Sequence, residues 1–241
     1  MGGGYTTVFA FGNSGSETLS GMLALMDQQG NPLVATGTID NPGIPTVRLT
    51  GALFTISIPP GGVGFVTAEA AGVRDPVKAG WALVDYAGRS LYSVATLQQS
   101  WSGVMLNAIG VLPSQPLPHA TIPVDFSVSE ARRVGYALAN PGQTTISITL
   151  SLVDQLGIIT NDGLDITLGP GQQIARYLDQ DLGRTYFKGS VVLRGKDGAT
   201  FVSVVLRGKD GATFVGLALM EHQGRLSVIP VVPLPIPNIP D

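Results

Sequence analysis

The chain reads as all-β: two tandem homologous β-sandwich domains of immunoglobulin-like architecture, with a proline-rich extended C-terminal tail. Three observations predict this. Segments such as Leu19 to Met26 and Ile146 to Val153 alternate apolar and polar residues, as strands do when one face is buried and the other solvated. The 32 glycines and 17 prolines supply turn signals between such segments, as in Asn13-Ser14-Gly15 and Asn140-Pro141-Gly142. The first half of the chain also recurs in the second, and self-similarity of this kind marks repeated structural units.

The repeat orders the elements. Shifted by 127 residues, Ala10–Gly30 lies on Ala137–Gly157 without a gap, and ten of the 21 positions are identical, among them Asn13/Asn140, Asp27/Asp154 and Gly30/Gly157. Val8–Phe11 and Gly135–Leu138 are the first matched strands, each closed by a turn. Leu19–Met26 and Ile146–Val153 follow, each ending at Asp-Gln-x-Gly. Phe54–Ile58 and Leu164–Leu168 run into Pro-Gly turns, and Ile58–Gly62 matches Leu168–Gln172. Gly80–Val84 then matches Gly189–Leu193, and Tyr92–Leu97 matches Phe214–Leu219. The exit Val111-Leu112-Pro113 resembles Val231-Val232-Pro233. Domains of residues 1–116 and 117–241 are expected, joined by Pro113–Pro118. No segment sustains a helical period; the best helical candidate, Gly171–Leu182, is short.

Residues 190–202 recur identically as residues 203–215, so domain two carries 13 residues more than the equivalent stretch of domain one. Each copy reads as strand, Lys-Asp-Gly hairpin turn and half-strand. One copy must be expelled as an edge strand or a loop, and two identical copies can compete for one slot or be exchanged between molecules.

Composition removes whole classes of function. Charged residues make up 13% of the chain, roughly half the usual ~25%. Cysteine is absent, which excludes disulfides and cysteine-ligated metal. A net charge of −3 lacks the basic footprint of nucleic-acid binding. The longest uncharged run, Ser90–Val124, is broken by Gln98, Gln99, Asn107 and prolines, short of the ~18 apolar residues of a membrane span.

No catalytic or cofactor constellation emerges, and no enzyme activity is expected. His119, in the inter-domain segment, and His222, in the turn Glu221–Gly224, stand apart and read as exposed loop residues. Asp162, Asp165, Asp179 and Asp181 lie close in sequence and suggest calcium, but match no EF-hand spacing and read as solvated turns. Trp81, Trp101 and Tyr86 form a candidate platform for sugar rings, with core packing as the competing reading.

The tail 229–241 carries five prolines, suiting an extended edge segment whose alternate apolar residues fill pockets along a partner's sheet edge. Domain two has a lead-in, Ala120–Asp125, ahead of its first matched strand, whereas domain one starts at Met1. Asn238–Asp241 resembles Thr121–Asp125, so the tail of one chain is a candidate for the segment missing from domain one of the next. The candidate assembly residues are Val231, Leu234, Ile236 and Ile239 from the tail and Gly3, Gly4 and Tyr5 from the start.

Gly2-Gly3-Gly4-Tyr5-Thr6-Thr7, Asn13, Gly15, Leu23, Leu25, Asp27, Gly30, Pro59-Pro60-Gly61-Gly62 and Gly80-Trp81-Ala82 together resemble tandem immunoglobulin-like β-sandwich repeats in secreted and surface proteins of environmental bacteria such as acidobacteria. Domain two departs from the pattern, with Ser127-Val128-Ser129-Glu130 in place of the triple glycine. The resemblance implies an extracellular or cell-surface location and no catalytic residue. The expected function is a non-enzymatic structural subunit that self-assembles head-to-tail into a filament or surface layer, with itself as partner. The alternative is a carbohydrate-binding or adhesion module with surface glycans as partners.

Overall fold

A computed structural model describes residues 1–70, 75–87, 91–114, 116–201, 216–222 and 225–233. It is all-β and antiparallel, and its contacts divide it into two compact units, one opening at Met1 and the other at Pro116.

Unit one contains β1 (Tyr5–Asn13), β2 (Leu19–Asp27), β3 (Ala35–Asp40), β4 (Val47–Gly51), β5 (Leu53–Ile58), β6 (Val63–Glu69), β7 (Gly80–Tyr86), β8 (Leu91–Trp101) and β9 (Val104–Val111). They form a six-stranded sheet, β4-β3-β6-β1-β8-β9, and a three-stranded sheet, β5-β2-β7. Period two is visible in the core: Phe54, Ile56 and Ile58 are fully buried while the intervening Thr55 and Ser57 are not. The sheets face one another. A Cβ on Gly37 of β3 would lie 1.9 Å from the ring of Phe54 on β5, so glycine there lets the layers close.

Unit two contains β10 (His119–Ser127), β11 (Arg132–Ala139), β12 (Ile146–Asp154), β13 (Ile159–Leu168), β14 (Gln173–Tyr177), the short helix α1 (Leu178–Leu182), β15 (Tyr186–Gly195), β16 (Gly216–His222) and β17 (Arg225–Pro233). The strands make one continuous sheet, β13-β12-β15-β10-β17-β16-β11-β14. Ile122, Phe126, Leu138, Ile148, Leu150 and Leu152 lie in one apolar cluster. The helix is confined to five residues because Gln173–Tyr177 pairs with β11 instead, and Gly183 (φ 62°) ends it as a left-handed residue closes a helix.

Five pairings recur between the units. β1 pairs with β6 and β8, β8 with β9, and β2 with β5 and β7; β11 pairs with β14 and β16, β16 with β17, and β12 with β13 and β15. The matched asparagines hold equivalent turns. Asn13 Nδ2 donates to Glu17 O (2.7 Å) and Ile58 O (2.9 Å), and its Oδ1 accepts Gly15 N (2.9 Å). Asn140 Nδ2 donates to Thr144 O (2.8 Å), Leu168 O (3.1 Å) and Gly169 O (3.0 Å), and its Oδ1 accepts Gly142 N (2.9 Å). Asp27 and Asp154 each accept two backbone amides across the next turn, where Gly30 and Gly157 have φ of 87° and 82°.

Four expectations need correction. Ile229–Pro233 belong to β17 rather than to an extended tail, with Ile229, Pro230 and Val231 opposite Ala218, Leu217 and Gly216. In the first duplicated copy, Lys196–Gly198 forms a 3-10 turn, and Phe201 bridges to Leu117 rather than folding back in a hairpin; the second copy, residues 203–215, lies outside the described residues. Beyond β15 the ladders depart from the sequence match by one residue. The match sets Leu219 on Leu97, yet Leu219 faces Gly135, whose counterpart Val8 faces Thr96. Finally, His119 starts β10, opposite Arg194, and its Nδ1 is buried without a hydrogen-bond partner.

Candidate functional site

The acidic residues are spent on structure. Asp179 receives Arg133 through Nε (3.2 Å) and Nη2 (2.7 Å), and Arg133 stacks 3.8 Å above the Tyr177 ring. Asp181 accepts the Tyr136 hydroxyl and pairs with Arg176. Burial, and then Asp181, push the Tyr136 phenol well above its ordinary range. Asp165 takes Lys196 Nζ (2.7 Å) and Thr149 Oγ1 (3.0 Å). Asp179, with a side chain 9% exposed, is therefore a paired, largely buried acid and not a solvated turn residue. Among the described residues no group of three or more His, Asp or Glu is placed to hold a metal ion. The Asp162 side chain lies outside the description.

The sugar-platform residues are not presented together. Trp81 on β7 is 5% exposed, whereas Trp101, at the β8–β9 hairpin, is 66% exposed. Tyr86 is half-buried. Exposed Val104, Met105 and Leu106 adjoin Trp101 in sequence.

What distinguishes the units is the neighbour of β7. In unit two its counterpart β15 is covered by β10 along nine residue pairs, from His119↔Arg194 to Ser127↔Tyr186. On the other side of β10, Ala120 and Thr121 pair with Pro233 and Val232 of β17. β10 thus joins two ladders that would otherwise end. Its buried residues Ala120, Ile122, Val124 and Phe126 alternate with His119, Thr121, Pro123 and Asp125, and Pro123 is exposed. In unit one, β7 and β9 are the terminal strands of two separate sheets, and among the described residues no strand joins them.

The chain start meets one end of that position: Met1 N donates to Lys78 O (2.8 Å) and Lys78 N donates to Met1 O (2.7 Å), just ahead of β7. Gly2, Gly3 and Gly4 have φ of 90°, 57° and 82°, a region open to glycine. Gly3 N donates to Asp75 O, and Ser100 N donates to Gly4 O, each at 2.9 Å. A Cβ on Gly4 would lie 2.1 Å from Ser100 O. Of the residues expected at an assembly interface, Gly3 and Gly4 hydrogen-bond within unit one and Tyr5 opens β1, and all three stay partly exposed. Of the tail residues, Val231 sits in β17, and Leu234, Ile236 and Ile239 lie outside the described residues.

A terminal strand beside an apolar face can accept an extended segment: its main chain supplies a ladder and alternate side chains fill pockets. Sequence reading missed the Arg133–Asp179 and Tyr136–Asp181 pairs, because residues 46 and 45 positions apart carry no local signal. The identity of Asn13 and Asn140 was the available signal for the turn hubs.

No family model, curated protein or solved structure matches the chain. No helix among the described residues is long and apolar enough to cross a membrane.

Proposed function

We propose that the chain is a non-enzymatic, extracellular structural subunit, built of two tandem β-sandwich repeats, that assembles head-to-tail with copies of itself by donating a strand. The observation that carries this reading is β10: unit two holds a strand between β15 and β17, and unit one has the same frame with no described strand between β7 and β9. Charge distribution supports it. Residues 1–116 hold 4 Lys+Arg and 6 Asp+Glu, against 10 and 11 in residues 117–241, so unit one offers less of the repulsion that keeps surfaces apart. A chain ending at Pro233 keeps β17 whole and lacks the tail. Analytical ultracentrifugation and electron microscopy are expected to show high-mass assemblies for the full chain and their loss in the truncated one. Identical monomeric behaviour of both would refute the reading.

The carbohydrate-binding alternative retains only Trp101 as an exposed ring of its platform. It predicts glycan retention that Trp101→Ala abolishes.

A further inference from the structure

Independently of strand donation, we propose that the outward face of the six-stranded sheet in unit one binds a neutral, extended oligosaccharide. Tyr92 and Phe65 supply the stacking rings, and Asp40 accepts hydrogen bonds from sugar hydroxyls. The ladders place these residues. Ile39, Val66, Phe9 and Ala95 form one row across β3, β6, β1 and β8, and all four are buried. The adjacent row, Asp40, Phe65, Ala10 and Val94, projects to the opposite face. Two residues further along β1, Gly12 lies between Val63 and Tyr92 on that same face. Asp40, Val63, Phe65 and Tyr92 are all exposed, Tyr92 at 55%.

Gly12 shows how the platform is laid. It lacks a positive φ, so its backbone does not call for glycine. A Cβ there would lie 1.9 Å from Cζ of Tyr92. The missing side chain lets the phenol end of Tyr92 lie across β1, toward Val63 and Phe65 on β6, and Gly12 is buried beneath it. The frame itself does not demand this. In unit two the matched residue is Ala139, and Ala175 and Gln173 stand on β14 where Phe65 and Val63 stand on β6.

The chemistry of the track selects the ligand. A sugar ring offers an apolar C–H face to an aromatic ring and a rim of hydroxyls to polar neighbours. The Asp40 carboxylate, directly opposite Phe65, makes no hydrogen bond or ion pair among the described residues. A free carboxylate inside the patch suits hydroxyl donors; the cores of protein interfaces are depleted in charge. It also disfavours an acidic glycan. The next row adds hydroxyls from Thr38, Thr67 and Thr96, each half-buried. From β8 to β3 the track crosses three strand spacings of ~4.8 Å, about 14 Å in all, longer than one sugar ring.

In calorimetric titrations of the full chain with cellohexaose, xylohexaose and mannohexaose, at least one of the three is expected to bind. Phe65→Ala and Tyr92→Leu, the second of which keeps Gly12 covered, should each weaken that binding roughly tenfold. Asp40→Ala should weaken it by roughly the same factor. Trp101→Ala should leave it unchanged, and high-mass assemblies should persist in every variant. Binding that survives both Phe65→Ala and Tyr92→Leu, or no binding of any of the three, would overturn the proposal and leave strand donation untouched. Loss of assemblies in Phe65→Ala and Tyr92→Leu without glycan binding would also overturn it, making the face a contact between copies.

Discussion

Units one and two begin from one frame and finish it differently. Seven strands and five pairings are common to both. Unit one then adds the β3–β4 hairpin, with β3 pairing along β6, while β14, the counterpart of β6, ends its sheet in unit two. Unit two instead inserts β10 between β15 and β17 and gains a continuous sheet. The lead-ins differ to match. Ser127 leaves β10 through a 3-10 turn at Val128–Glu130 and Ala131 (φ 51°), whereas unit one reaches the equivalent place through Gly4 (φ 82°) from a turn tied to Asp75. The same frame thus occurs with a strand joining its two ladders and without one among the described residues, and the unit without it is the one poorer in charge.

The common frame can be tested by paired substitutions. Asn13→Ala and Asn140→Ala each strand buried carbonyls and an amide. Each should cost about 3 kcal/mol, read as loss of stability in denaturant melts; a large cost in one unit and none in the other would break the equivalence of the turns. Gly80→Ala and Gly189→Ala come next. A Cβ would approach Met26 O and Val153 O to 2.2 Å in both cases, main-chain atoms that cannot swing aside, so each should cost about 2 kcal/mol. Unequal losses would place the two glycines in different surroundings.

The smallest effect concerns acid. Burial works against the Asp27 carboxylate but is outweighed by hydrogen bonds from Asn31, through backbone and side chain, and from the Gln29 and Gly30 amides, which hold its pKa below the ordinary value. A depressed folded-state pKa stabilises the fold above the unfolded-state value of about 4, and the contribution is lost as pH falls through the folded-state value. Asp27→Asn should flatten the acid limb of the thermal stability profile. An unchanged acid limb would assign no linkage to this turn.

How much of this was readable in the sequence follows from range. The turns at Asn13/Asn140 and Asp27/Asp154 were legible because left-handed glycines and side-chain caps demand particular residues within four positions. Strand alternation was legible for the same local reason. Pairings were not. Nothing in Ala35–Gly51 announces a hairpin that extends the sheet beyond β6, and nothing in His119–Ser127 states that it separates β15 from β17. Trp81 illustrates the ambiguity of residue type, since a ring suited to stacking on a sugar is equally suited to the core that buries it. The lead-in Ala120–Asp125 was legible only as a surplus relative to domain one, and the structure supplies the place where that surplus sits.

The central claim is that the tail donates a strand to unit one, where no strand among the described residues lies between β7 and β9. It is tested most directly by titrating a peptide of residues 234–241 into the chain that ends at Pro233, with calorimetry for binding and thermal melting for stability. The account predicts one peptide per chain, a raised unfolding temperature, and loss of both effects when the peptide carries Ile236→Pro. Absence of binding at any concentration, with melting unchanged, would contradict it.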